Sequence, residues 1–264
     1  MQPQEGALDR PREPLPTRVQ GLAPLPPAFA EVLDPGLRHL AIELTDEARS
    51  VIEAHARLLL AWTEAINLTA IRDPAEIARL HVLDSLAAVP TLRALGISRL
   101  LDVGSGGGFP GIPLAAALGS DRTLLVDSVG KKVQFLRTVI RATGLERRVA
   151  AEPDRAEAIA RDPRDRGAWP AVTARAVTSL AELVELAMPL VAPGGVLVAW
   201  KRLPVDHELD GAAGALRALR TGPVRVVDPG LPGLDGHRLV VVPRSGPIDV
   251  RFPRDPVERR RRPL

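Results

Sequence analysis

The sequence predicts an α/β protein: a doubly wound, mostly parallel seven-stranded sheet with an antiparallel last strand, preceded by an N-terminal helical cap. Three observations predict it. Seven short apolar runs follow Ser98, at residues 99–103, 123–126, 148–151, 171–174, 196–200, 224–227 and 239–242. Helical patterns fill most of the gaps, notably at 131–143, 180–190 and 209–219, and such alternation argues for parallel strands with helices on both faces. The last two runs are joined only by residues 228–238, which hold Pro and Gly but no helical pattern, so an antiparallel hairpin suits them better than a crossover.

Taken in order, residues 1–27 carry seven prolines with little periodicity and are expected to form a disordered leader. From Thr45 the pattern becomes helical. Thr45 is placed to cap, Asp46 and Glu47 favour the positive helix start, and Val51, Ile52, His55, Leu58, Leu59 and Trp62 share one face. After a break at Asn67-Leu68-Thr69, Pro74 opens a second helix at the position where proline is best tolerated. Residues 28–95 therefore read as a helical cap, 96–243 as the sheet domain and 244–264 as a basic, flexible tail.

Composition narrows the chemistry. The 264 residues are 45% hydrophobic but only 3% aromatic, with no Tyr, so Leu, Val, Ile and Ala must build the core. With no Cys, disulfides, thiolate metal sites and a cysteine nucleophile are all excluded. No metal site is expected. Neither a secretory signal nor an apolar run near the ~20 residues of a membrane span is visible, so a cytoplasmic protein is the expectation, and nothing in the sequence demands more than a monomer. The net charge of +3 sits in the tail, where seven arginines face Asp249, Asp255 and Glu258. Its run Arg259–Arg262 would suit a polyanion, or serve only as a solubilising end.

The ligand signal lies at the end of the first strand. In Asp102-Val103-Gly104-Ser105-Gly106-Gly107-Gly108, glycines let the backbone turn and approach a ligand. Gly106, Gly108 and Gly111 also satisfy the dinucleotide pattern G-x-G-x-x-G, which alone fits an NAD site equally well. Asp102 beside the loop disfavours a pyrophosphate. It would either orient the loop or attract the ammonium of a methionine moiety. Asp127 ends the second strand, where an acid can accept ribose hydroxyls. These features favour S-adenosylmethionine over a nicotinamide.

Several separated blocks then resemble one family, from about Ala61 to Val242. They are the stretch from Asn67 to Pro74, His81-Val82-Leu83-Asp84-Ser85-Leu86, the loop continued through Phe109-Pro110-Gly111-Ile112-Pro113, Val126-Asp127-Ser128, Asp154-Arg155-Ala156-Glu157, and Thr173-Ala174-Arg175-Ala176. The chain is similar to the bacterial small-subunit rRNA guanine-N7 methyltransferases, the RsmG/GidB type, and hence to the class I, Rossmann-like methyltransferases. The resemblance implies that Gly104 and Phe109 contact the methyl donor, that Ala156 and Glu157 lie near its adenine, and that Arg175 faces the reaction site. Asp127 is added on the ribose argument. Plainer readings exist: core packing for Phe109, an exposed helical acid for Glu157.

The resemblance implies transfer to N7 of a guanine in the decoding-region loop of 16S rRNA, free or in the small ribosomal subunit. Guanine N7 carries a lone pair and no proton, so no catalytic base is expected and the task is alignment. Pyrimidine C5 methylation would want a Cys. Exocyclic amino methylation would want an Asn/Asp-Pro-Pro-aromatic motif where Ala174-Arg175-Ala176-Val177 stands. For the RNA rim we expect Lys131, Lys132, Lys201 and Arg202; neither DNA nor a membrane is implied. A small-molecule methyltransferase and a non-catalytic SAM- and RNA-binding assembly factor remain the alternatives.

Overall fold

A computed structural model describes residues 14–264 of the chain. Strand order is β3-β2-β1-β4-β5-β7-β6 in one seven-stranded sheet. The strands are β1 (Arg99–Val103), β2 (Arg122–Val126), β3 (Val149–Glu152), β4 (Trp169–Arg175), β5 (Val191–Arg202), β6 (Arg225–Val227) and β7 (His237–Pro243). The first five are parallel, β7 pairs antiparallel with β5, and β6 pairs antiparallel with β7. The hairpin expected across 228–238 forms because that link is too short and too rich in turn residues for a crossover helix.

Successive strand residues point to opposite faces, and because nearly all are apolar the sheet is buried on both. Leu100, Leu125, Ala171, Val198 and Val241 enter one core; Leu101, Leu124, Val172, Leu197 and Val240 enter the other. The first face is covered by α1 (Pro27–His39), α2 (Asp46–Thr63), α5 (Val89–Ala94), α6 (Gly111–Leu118) and α7 (Gly130–Ala142). The second is covered by α8 (Ala156–Ile159), α9 (Leu180–Ala187) and α10 (Asp206–Ala218). Thr45 caps α2 as expected, its Oγ1 accepting from Ala48 N–H at 3.1 Å, an arrangement worth about 1 kcal/mol. The helical cap shares its core with the first sheet face, so cap and sheet fold as one body.

One helix of the cap has a register the sequence does not announce. Between α3 (Pro74–Glu76) and α4 (Asp84–Leu86), residues Ile77–Leu83 are π-helical. Asp84 N–H accordingly reaches back five residues to Arg79 O. Such wide turns rotate the residues that follow relative to an α-helical phase, and Asp84 and Ser85 are delivered into the interior.

Both chain ends depart from expectation. Disorder was expected over 1–27; residues 1–13 lie outside the described residues, but from Pro14 the segment packs along α2. Leu15, Val19, Leu22 and Leu25 lie against the first core. Trp62 Nε1–H donates to Pro16 O at 2.7 Å, and Arg57 donates to the carbonyls of Val19, Leu22 and Ala23. Prolines block a helix here, yet they leave carbonyls free, and donors on α2 use them. The tail is likewise docked rather than flexible. Phe252 is buried in the second core, Arg254 grips Glu185 with two bonds of 2.8 and 2.7 Å, and α11 (Pro256–Arg261) follows. The buried Glu185 of α9 and the half-buried Glu157 of α8 require cations, and arginines of the tail supply them. Among the described residues no helix is long and apolar enough to cross a membrane.

Candidate functional site

The glycine loop is held at three points. Gly104 and Ser105 N–H both donate to Val126 O, at 2.8 and 3.0 Å, tying the loop to the end of β2. Asp127 accepts from Gly106 N–H and from Val129 N–H, each at 2.9 Å. Asp102 is fully buried and accepts from Gly111 N–H at 3.1 Å and Thr173 Oγ1–H at 2.8 Å. Of its two expected uses, orienting the loop is therefore the one the geometry supports. Gly104, Gly106 and Gly108 all have positive φ, at 71°, 55° and 89°, so only glycine follows this path without strain.

Phe109, at the far end of the loop, is sandwiched. Its ring centroid lies 4.4 Å from His55 and 4.8 Å from His81, with both rings stacked, and the Arg175 guanidinium sits 5.4 Å from the ring centre. His55 Nε2–H donates to Gly107 O at 2.6 Å. His81 Nδ1 lies 3.3 Å from Arg175 Nη2, and an arginine can only donate, so Nδ1 is the acceptor and Nε2–H faces Thr69 Oγ1 at 2.8 Å. Both His81 nitrogens are thus engaged inside the chain. Arg175 Nη1 donates to Leu80 O at 3.0 Å and to Asp84 Oδ2 at 2.9 Å. The other Asp84 oxygen pairs with His237 Nδ1 at 2.8 Å, and Trp200 Nε1–H donates to Asp84 O at 2.7 Å.

These contacts make a pH prediction. Burial drives His55 down to about 4, and burial with the neighbouring Arg175 does the same to His81. Burial raises Asp102 to about 6. As pH falls from 6.5 towards 4, the unfolded chain binds two protons on the histidines that the folded chain refuses, so stability falls. Asp102 opposes this below pH 6, because its folded form takes up a proton first. The net slope from these groups is about 1.4 kcal/mol per pH unit. His55→Gln keeps a donor for Gly107 O but removes one titration. Urea unfolding of this variant at pH 7 and pH 5 should show a slope flatter by that amount; an unchanged slope would contradict the assignment.

Beside the loop a cavity of about 430 Å³ opens at the ends of β4 and β5, lined by His81, Arg175, Thr178, Trp200, Lys201 and His237 among others. The sequence-predicted residues thus fall into separate groups. Gly104 and Asp127 meet at the loop, while Phe109 and Arg175 touch each other under the cavity. Ala156 and Glu157 open α8 after β3, where first-turn amides lack intrahelical partners. Lys131 and Arg202 are exposed and Lys132 half-buried. Lys201 departs from the expected free rim cation: its ammonium donates to Thr178 O at 2.8 Å and Glu208 at 2.9 Å, because the side chain turns inward along the cavity wall. Sequence reasoning missed Asp84 as the centre of the network, quoting it only within a block that carries the family resemblance. It missed His237 and Trp200 altogether, and no local signal marks them.

The fold has recognisable counterparts. An O-methyltransferase from Bacillus cereus in complex with SAH superposes with a TM-score of 0.51 at 15% identity, covering 82% of this chain and all of that one. A SAM-dependent O-methyltransferase from Thermotoga maritima gives 0.50 at 15% identity over 72% of each chain. At such identities the likeness concerns the fold. Sequence comparison is more specific. The protein named ribosomal RNA small subunit methyltransferase G of Pelotomaculum thermopropionicum is 36% identical over 237 residues, spanning 89% of this chain and 99% of that protein. Its namesake in Roseiflexus castenholzii is 40% identical over 206 residues, 77% of this chain and 87% of the relative. The family model described as rRNA small subunit methyltransferase G matches residues 49–227. With a Rossmann-like sheet, a glycine loop closed by two aspartates and this matched span, the chain belongs to the rRNA small subunit methyltransferase G family of S-adenosylmethionine-dependent methyltransferases.

Proposed function

We propose that the chain methylates N7 of a guanine in the decoding-region loop of 16S rRNA by direct in-line attack without a general base. The residues fit the methyl donor on three counts. The loop is built from glycines at positive φ, an acid ends β2, and α8 opens on Ala156 and Glu157, whose N–H groups meet no other residue's backbone, beside a carboxylate. Gly104 and Phe109 would border the donor, Asp127 would meet the ribose, Ala156 and Glu157 the adenine, and Arg175 the reacting end. S-adenosylmethionine supplies an electrophilic methyl group on a sulfonium.

The observation that carries the reading is the cavity beside Arg175. It has room for a base, and its one carboxylate, Asp84, already holds Arg175 and His237 on its two oxygens. Asp84 and both His81 nitrogens are engaged within the chain, and a ring nitrogen without a proton needs no base, so the remaining imidazole nitrogen, on His237, is left for recognition. The side chains position the acceptor: Arg175 and Trp200 form a rigid wall, locked by Asp84, and alignment alone can account for several orders of magnitude in rate. His237 uses Nδ1 on Asp84, leaving its second nitrogen for a polar edge of the base. Lys131, Lys132 and Arg202 stand along the same carboxyl edge of the sheet and would take phosphates, and the cytoplasm, where rRNA is made, would be the site of action.

Incubation with labelled methyl donor and either 30S subunits or naked 16S rRNA, followed by nucleoside analysis, tests this. Labelled 7-methylguanosine is expected from at least one substrate. Its absence from both would overturn the proposal, and a different methylated nucleoside would correct the target atom.

A further inference from the structure

Glu157, which the reading above assigns to the adenine edge, is not a free carboxylate. Arg259 Nη2–H donates to its Oε1 at 2.5 Å across 102 positions of sequence. The Arg259 side chain is only 7% exposed and that of Glu157 13%. Arg259 is itself fixed. Its Nη1 donates to Arg254 O at 2.8 Å, and Arg254 grips Glu185 of α9. Glu182, also on α9, lies 3.6 Å from Arg259 Nε, and Asp255 caps α11 by accepting from Val257 N–H at 2.8 Å. A continuous run of ion pairs therefore leads from α9 through α11 to the second residue of α8.

This matters because α8 has four residues and little rigidity of its own. An unpaired glutamate there would sample several rotamers in water. With Oε1 occupied by Arg259 and the residue's own backbone N–H also turned to the carboxylate, no other described residue donates to Oε2. We propose that Arg259 is a positioning residue for the methyl donor: it orients Glu157 so that Oε2 accepts from the exocyclic amino group of the adenine. Burial alone would push the Glu157 carboxyl up, but the hydrogen bond from Arg259, the residue's own backbone N–H, and the charges of Arg259 and Arg155 hold it below its ordinary value. An ionised carboxylate can only accept, and the amino group can only donate, so the pair selects a 6-amino purine over a 6-oxo purine. The tail that the sequence marks as a basic appendage thus becomes part of the cofactor site wall.

The inference rests on the placement of Glu157, and the experiment separates the two. Calorimetry of the full chain measures affinity for S-adenosylhomocysteine and for S-inosylhomocysteine, which carries oxygen in place of the amino group. Arg259→Ala should weaken the first by about tenfold, the value of a charged hydrogen bond, and leave the second nearly unchanged, so selectivity collapses. A purely structural role would weaken both alike, and that result would overturn the proposal. Glu157→Ala should lose the same selectivity. If it does not, the assignment of Glu157 to adenine fails; if it does while Arg259→Ala stays selective, only the positioning role fails. Should Arg259→Ala not fold, Arg259→Gln, which keeps length and an amide donor, reads the same selectivity: a fall supports the role and wild-type selectivity overturns it.

Discussion

Replacing Arg175 with alanine is expected to destabilise the protein by about 3 kcal/mol and to slow methyl transfer by at least ~10²-fold. Arg175 Nη1 serves Asp84 and Leu80 O together, and Nη2 faces His81 Nδ1. Asp84 is buried, with its side chain 3% exposed, and removal of the guanidinium leaves that carboxylate with His237 alone. A buried charge stripped of its main partner is among the costliest single changes a fold meets. The same guanidinium lies over Phe109, so its loss also removes one of the three groups packed on the ring that closes the glycine loop. Lysine keeps the charge but cannot span three acceptors with one ammonium, so Arg175→Lys should recover part of the stability and little of the rate. Urea unfolding and single-turnover methylation distinguish the two effects. Wild-type stability and rate in Arg175→Ala would remove Arg175 from both roles. If Asp84→Asn in the Arg175→Ala background restores stability but not rate, the structural and positioning roles are separate.

The glycine loop offers the second large effect, and neighbouring glycines should respond differently. A Cβ on Gly108 would lie 2.6 Å from Ile112 Cδ1 and 2.8 Å from His55 Nε2, at a φ of 89°. His55 cannot retreat, being held between Gly107 O and Phe109. Gly108→Ala should therefore cost about 3 kcal/mol, combining left-handed strain with overpacking. At Gly106 only Gly104 O lies near an added Cβ, at 3.8 Å. Gly106→Ala should lose only ~1–2 kcal/mol from its φ of 55° and remain folded. Its methyl would stand on the open side of the loop, so affinity for S-adenosylhomocysteine should drop at least about tenfold. Thermal unfolding and calorimetry on the two variants check both halves. Unaltered binding by Gly106→Ala would mean that the open side of the loop does not face the ligand, while a well-folded Gly108→Ala would contradict the packing argument.

Much of this was legible in residues close in sequence. The strand at 99–103 matches the observed β1, and the strands at 123–126, 171–174 and 196–200 lie inside β2, β4 and β5. Alternation and apolar runs are local properties, readable without knowing the partner strand. The glycine loop was legible for the same reason, since positive φ is a requirement of the residue itself. Asp84 was quoted within a motif block but not as a hub, because a π-helical turn sets its direction and no spacing rule foresees one. His237 starts β7, and only the antiparallel pairing with β5, which sets it against Arg202, brings it near the cavity.

By itself, then, the sequence determined the sheet, its hairpin ending, the loop and the family, because each rests on short-range periodicity or on contiguous motifs. Tertiary structure alone decided what the charges do. The tail held an excess of arginines whichever way it was counted, but whether they meet solvent, RNA or protein depends on carboxylates brought from elsewhere. Glu185 took Arg254, and Glu157 took Arg259, over 69 and 102 positions. The same holds for Lys201, drawn to Glu208 along the cavity wall, and for the leader, whose carbonyls met Arg57 and Trp62. A buried charge or polar donor must find a partner in three dimensions, and the chain sequence names the groups without saying which ones will meet.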